Sequence, residues 1–133
     1  MSIQVTQWVH SGVTQATQAA LEAETDQDTY APPDRIKYSP GVAKQWCQKA
    51  QHGALNSPSY NTASLTDRGT GQATIVLATD FSTAVYSVVI GQPGDDSIEA
   101  GFNNFAVGSY DIDVYLSGGH NDQVACVAAF GDQ

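Results

Sequence analysis

The sequence predicts a mainly β chain: an antiparallel β-sandwich preceded by a short N-terminal arm of strand and helix. Three observations carry this. From residue 41 on, short alternating runs are separated by turn-forming residues at close spacing. The turn Thr66-Asp67-Arg68-Gly69-Thr70-Gly71 lies between two such runs. Ahead of residue 40, apolar residues recur at helical spacing instead.

Taken in order, Ile3, Val5 and Gln7 alternate with Gln4, Thr6 and Trp8 and predict a short strand ended by Gly12. Residues 14–24 then switch period. Ala16, Ala19, Ala20 and Ala23, with Leu21, predict a helix for which Thr14 is the expected N-cap. Alanine on a contact face lets backbones approach closely, so these four alanines are candidates for a seam between identical chains. The competing expectation is a small helix packed on its own domain, since a helix of this length is marginal alone. Glu22, Glu24, Asp26 and Asp28 follow at spacing two. They lack the turn glycine and closing glutamate of a calcium loop and read as a solvated linker. Tyr30-Ala31-Pro32-Pro33-Asp34 breaks the helix and Pro40-Gly41 marks a second break. The boundary between an arm, residues 1–40, and a β-domain, residues 41–133, falls there.

The expected strands are 42–48, 59–65, 72–78, 84–90, 98–107, 110–117 and 123–130. Around the turn at 66–71, Ala63 and Leu65 alternate with Tyr60, Thr62 and Ser64 on one side, and Ala73, Ile75 and Leu77 alternate on the other. Glycine reaches positive φ at little steric cost and aspartate bonds nearby backbone, so a hairpin with a bulged or longer loop is expected. In 111–116, Asp111 and Asp113 alternate with Ile112, Val114 and Leu116, which places the acids on a wet face. Trp8, Trp46, Tyr60, Tyr86, Tyr110 and Tyr115 are the aromatics that could stack on sugar rings, but most fall at strand positions, where core packing is the expected role.

The 133 residues suffice for one core without metal or disulfides. Cys47 and Cys126 sit in apolar, strand-like surroundings and read as buried small hydrophobes rather than a disulfide. The net charge of −9, from 5 Lys and Arg against 14 Asp and Glu, argues against nucleic acid and anionic membranes as partners. No stretch approaches the roughly 20 apolar residues of a membrane span, and no secretory signal opens the chain. A product made and kept soluble in a cytosol is expected. His10, His52 and His120 are scattered, and no metal-ligand spacing, nucleophile elbow or phosphate loop occurs, so neither metal nor cofactor is expected. Asp95, Asp96 and Glu99 are the nearest approach to a glycosidase carboxylate pair, but they lie on one short acid-rich segment. The chain is not expected to be an enzyme.

Four segments carry a family resemblance. Tyr60-Asn61-Thr62-Ala63-Ser64-Leu65-Thr66-Asp67-Arg68-Gly69-Thr70-Gly71 resembles the YNVSSITDNGTG hairpin of bacteriophage fibre and tail-tip proteins. Residues 16–26 resemble the ATQAEMEAATD arm of the same proteins, residues 38–46 their YHPGVAKAW strand start, and residues 124–131 their closing VNVAVFG. Together the segments span about half of the chain in the family's order. Departures are Arg68 for Asn, Ser39 for His, and Cys47 to Gly53 in place of a glycine-rich NFNGTG pattern. The resemblance implies a virion structural protein, made in the host cytoplasm, that forms homotrimers and contacts other virion proteins of capsid or tail. With a methionine close before the arm, a compact stand-alone fibre, spike or tip subunit is expected. Loops 50–58, 91–97 and 118–122 are the candidate contacts for a bacterial surface glycan or protein, through His52, Asn56, Asp95, Asp96, His120 and Asn121. The alternative is a purely architectural capsid decoration, head fibre or tail plug.

Overall fold

The structure is a computed structural model that describes residues 14–25, 29–91 and 98–133. The strand expected over residues 3–8, the acids Asp26 and Asp28, and the candidate contacts Asp95 and Asp96 lie outside the described residues. The chain divides into two compact units, residues 1–39 and 40–133.

In the first unit, helix α1 spans Gln18–Ala23. It begins later than the alanine period suggests, and its N-cap is Thr17, not Thr14. The Thr17 hydroxyl accepts from the Ala20 amide at 3.1 Å. The reason is a competing pairing: Ala16 N donates to Tyr30 O at 3.0 Å and Tyr30 N to Thr14 O at 3.3 Å, which holds residues 14–16 extended. A cap at Glu24 in left-handed geometry ends the helix after six residues. Of the four seam candidates, Ala19, Ala20 and Ala23 therefore lie on α1, with Ala19 and Ala23 exposed, while Ala16 lies in the bridged segment before it. A single 3-10 turn, Ile36–Tyr38, follows.

The second unit is a sandwich of two antiparallel sheets packed against each other. Its strands are β1 (Gln45–Lys49), β2 (Leu55–Tyr60), β3 (Thr62–Gly69), β4 (Gln72–Leu77), β5 (Ser87–Gly91), β6 (Ile98–Ala106), β7 (Ser109–Leu116), β8 (Gly119–His120) and β9 (Ala125–Phe130). The first sheet has the order β2-β1-β9-β5; the second has β3-β4-β7-β6, with β8 also on β7.

The run expected as one strand over 59–65 is broken at Asn61, whose φ of 51° sends β2 into one sheet and β3 into the other. Asparagine tolerates that geometry, and its side chain satisfies the corner. Asn61 Nδ2 donates to the carbonyls of Lys44 and Thr79, each at 3.0 Å, and Oδ1 accepts from Thr79 N at 2.6 Å. The β3–β4 hairpin forms as expected. Its loop is bulged between Asp67 and Gly69, and Asp67 Oδ1 accepts from Gly69 N at 2.9 Å.

Small and large side chains alternate across the core. Ala73 pairs with Ile112 and Ile75 with Tyr110 across β4 and β7, while Cys47, Ala125, Val127 and Ala129 face them from the other sheet. One buried polar bridge links the layers. The Tyr110 hydroxyl donates to Gln45 Oε1 at 2.9 Å, and Gln45 Nε2 donates to Thr62 Oγ1 at 3.0 Å. At one end Phe81 stacks on Tyr86 at 4.2 Å between ring centroids, and the Tyr86 hydroxyl reaches the Ser109 carbonyl at 2.9 Å.

Two glycines with similar positive φ separate backbone strain from crowding. At Gly71, φ +71°, a Cβ would sit 2.6 Å from both Asn121 N and Val114 O; at Gly118, φ +81°, it would meet open space. Gly118→Ala should cost about 1 kcal/mol for the left-handed backbone alone. Gly71→Ala should cost a further ~1–3 kcal/mol from overpacking. Urea denaturation of the two variants checks the difference.

Candidate functional site: a stapled loop cluster and two unlike sheet faces

Three chain segments meet at one end of the sandwich: the turn Gln51–Gly53, the hairpin loop at 69–71, and residues 121–123. Asp122 ties them together. Its Oδ1 accepts from Gly71 N at 2.7 Å, and its Oδ2 lies 3.1 Å from His52 Nδ1. The Gly71 amide, with the neighbouring Lys49 and His52, holds the Asp122 carboxyl below its ordinary pKa despite partial burial. Lys49, on β1, is fully buried. Its Nζ lies 4.0 Å from Asp122 Oδ1 and donates to the carbonyls of Ala50 and Gln123, each at 3.4 Å. Burial pushes the Lys49 ammonium pKa down. Gly53 packs so closely on Asp67 that a Cβ would sit 2.6 Å from Asp67 Cβ. Asn121 N bonds to Val114 O at 2.9 Å. The His120 ring lies 4.5 Å from that of Tyr115.

Of the candidate contact residues, His52 and Asn121 therefore lie on segments tied together at one loop end, and His120 precedes Asn121 with its ring against Tyr115. Asn56 lies apart, on the outer face of the first sheet, where its Nδ2 donates to Gln48 Oε1 at 2.6 Å.

The outer faces of the two sheets differ. The second sheet turns out a polar network centred on Asp111 and Asp113. These acids are not wet, as the alternation suggested: they are 6% and 5% exposed. Neighbouring strands cover them. Thr74 Oγ1 donates to Asp111 at 2.5 Å, Asn104 and Arg68 also bond Asp111, and Gln72 Nε2 donates to Asp113 at 2.8 Å, with Asn103 on its other oxygen. Burial alone would raise the Asp111 pKa, but the bonds from Asn104 and Thr74 and the Arg68 guanidinium outweigh it and hold the pKa below the ordinary value.

The first sheet turns out an uncharged face. Trp46, Gln48, Tyr60, Val89, Cys126 and Ala128 share its outer side, and all of these but Tyr60 border an open groove of about 650 Å³ with Pro58 in its wall. Trp46 and Tyr60 are 42% and 47% exposed, which corrects the expectation that they pack in the core. Cys126 also looks outward and is half-buried, whereas Cys47 is buried and its thiol pKa is raised by burial. Both cysteines are free. The signal for this face was present in β9: Ala-Cys-Val-Ala-Ala-Phe is apolar on both sides of the pleat, as a strand covered twice would be.

Among the described residues no group of three or more His, Cys, Asp or Glu is arranged to hold a metal ion. No helix there is long and apolar enough to cross a membrane. Comparison with protein-family models, curated proteins and solved structures returned no match.

The two depressed carboxyls fix the sign of an acid response. A carboxyl whose folded pKa lies below its unfolded value of about 4 contributes stability that is complete above that value. The contribution is lost as pH falls through the folded pKa. Unfolding free energy from urea titrations should therefore drop below about pH 4. Asp111→Asn should lower stability at neutral pH by about 2 kcal/mol and flatten the acid limb. An acid limb as steep in the variant as in wild type would contradict the assignment.

Proposed function

We propose that this chain is a non-enzymatic structural subunit of a bacteriophage particle, a short fibre, spike or tail-tip protein that displays loops toward a bacterial surface. The observation that carries the reading is the loop end held by Asp122, where the His52 turn and the hairpin loop are tied to the segment that carries His120 and Asn121. Recognition residues placed on loops and fixed by a scaffold lose little entropy on binding. The His52 side chain is 81% exposed while its ring nitrogen is anchored on Asp122, a geometry that presents a polar edge outward. Sequence motifs in the order found in phage fibre proteins support the same reading. In it, residues 1–40 attach the subunit to other virion proteins, and three copies assemble so that weak single contacts add as avidity. The ligand is a surface glycan or protein of the host bacterium.

Saturable binding of the purified protein to bacteria that the particle infects is the expected result. His52→Ala combined with Asn121→Ala should weaken that binding at least tenfold with little change in the urea midpoint. Immunogold labelling should place the protein on the tail or its fibres. Binding to isolated capsids or tail parts without binding to cells would replace adhesion with the architectural alternative.

A further inference from the structure

The outer face of the first sheet sets a physical problem that the loop end does not solve. The chain carries a net charge of −9. Yet the side chains that β1, β2, β5 and β9 turn outward at Trp46, Gln48, Tyr60, Val89 and Ala128 include no acid and no base. Large apolar residues are left half exposed there, Val89 at 52%. The sheet edges differ as well. Edge strand β2 carries Pro58, and its pairing with β1 is bulged, two devices that discourage further strand pairing. Edge strand β5, Ser-Val-Val-Ile-Gly, has no charge and no proline, and no strand among the described residues pairs with its free side.

We infer that this uncharged face, with the open edge of β5, is the surface on which copies of this chain associate. Charge selects the occupant. Like-charged copies repel at contact distances within a Debye length of about 8 Å, so they can meet only where neither presents acids. A basic partner would find a carboxylate on the other sheet instead, at Glu99 of β6. A sugar would need polar groups aimed into the groove. The amides of Gln48 and Asn56 are instead bonded to each other, and Gln48 Nε2 is further directed to Cys126 Sγ at 3.4 Å. A second copy supplies what the face lacks, an apolar and equally uncharged cover.

The inference rests on the multi-copy part of the proposed function and not on host contact. Light scattering and native mass spectrometry of the full chain test it, with Val89→Asp as the disrupting variant and Val107→Asp as the control. Val107 is exposed, and it lies in the turn between β6 and β7 of the other sheet. Wild type and Val107→Asp should show the mass of several chains, and Val89→Asp the mass of one, with circular dichroism unchanged. Trp46→Gln, on the neighbouring part of the face, gives the same reading should the aspartate prevent folding. A folded Val89→Asp protein, or a folded Trp46→Gln protein, that keeps the wild-type mass overturns this interface alone. A wild-type protein with the mass of one chain overturns both the interface and the multi-copy reading.

Discussion

The pleat of β1 and β9 is the constraint on which the rest depends. Paired residue against residue from Gln45–Ala129 to Lys49–Ala125, these central strands commit every second side chain to the core. Gln45, Cys47, Lys49, Ala125, Val127 and Ala129 point inward because Ile75, Tyr110, Ile112 and Val114 of the opposite sheet close over them. A slip of one residue would exchange the two faces and bury Trp46 where Gln45 or Cys47 now fits. With the inner set fixed, Trp46, Gln48, Cys126 and Ala128 have no choice but to face outward. The exposed apolar surface of the first sheet is thus a consequence of how the core is filled.

Polar groups inside the sandwich secure that register more than they add stability. Gln45 bridges the layers between Tyr110 and Thr62, and the amine of Lys49 is spent on two carbonyls and Asp122. A hydrogen bond of this kind contributes about 1 kcal/mol net, whereas a buried donor left without a partner costs ~1–3 kcal/mol. A shifted register would strand several of them at once. Among the described residues no buried side-chain nitrogen or oxygen lacks a partner. The same logic makes the loop end rigid. Asp122 joins the backbone of the hairpin, the His52 turn and the buried lysine, so exposed residues there stand on the core rather than on a free loop.

Local patterns in the sequence were legible, and their assembly into sheets was not. Alternation and turn chemistry located the β3–β4 hairpin and the strands β4, β6, β7 and β9, because these depend on neighbours in the chain. The alternation alone places Asn61 inside one strand, since nothing local distinguishes an asparagine in extended backbone from one at φ 51° that changes sheets. The same alternation puts Asp111 and Asp113 in water, because an acid alternating with apolar residues usually faces it. Their cover comes from Thr74, Gln72, Asn103 and Asn104 on the adjacent strands and from Arg68 two strands away, partners that only the sheet order brings together. The loop residues His52, His120 and Asn121 were singled out by composition. That His52 shares a carboxylate with Gly71, next to the other two, is a fact of topology.

The central claim is that the outward face of β1 and β9 is water-free in the working protein. Cys126 lies on that face and reports on it directly, while Cys47, buried in the core, serves as an internal reference. The decisive measurement is the native rate of thiol modification at each cysteine, read by mass spectrometry across a dilution series. The account predicts that Cys126 is protected at high protein concentration and becomes reactive on dilution, with Cys47 unreactive throughout. A Cys126 rate that is fast and independent of concentration would contradict it.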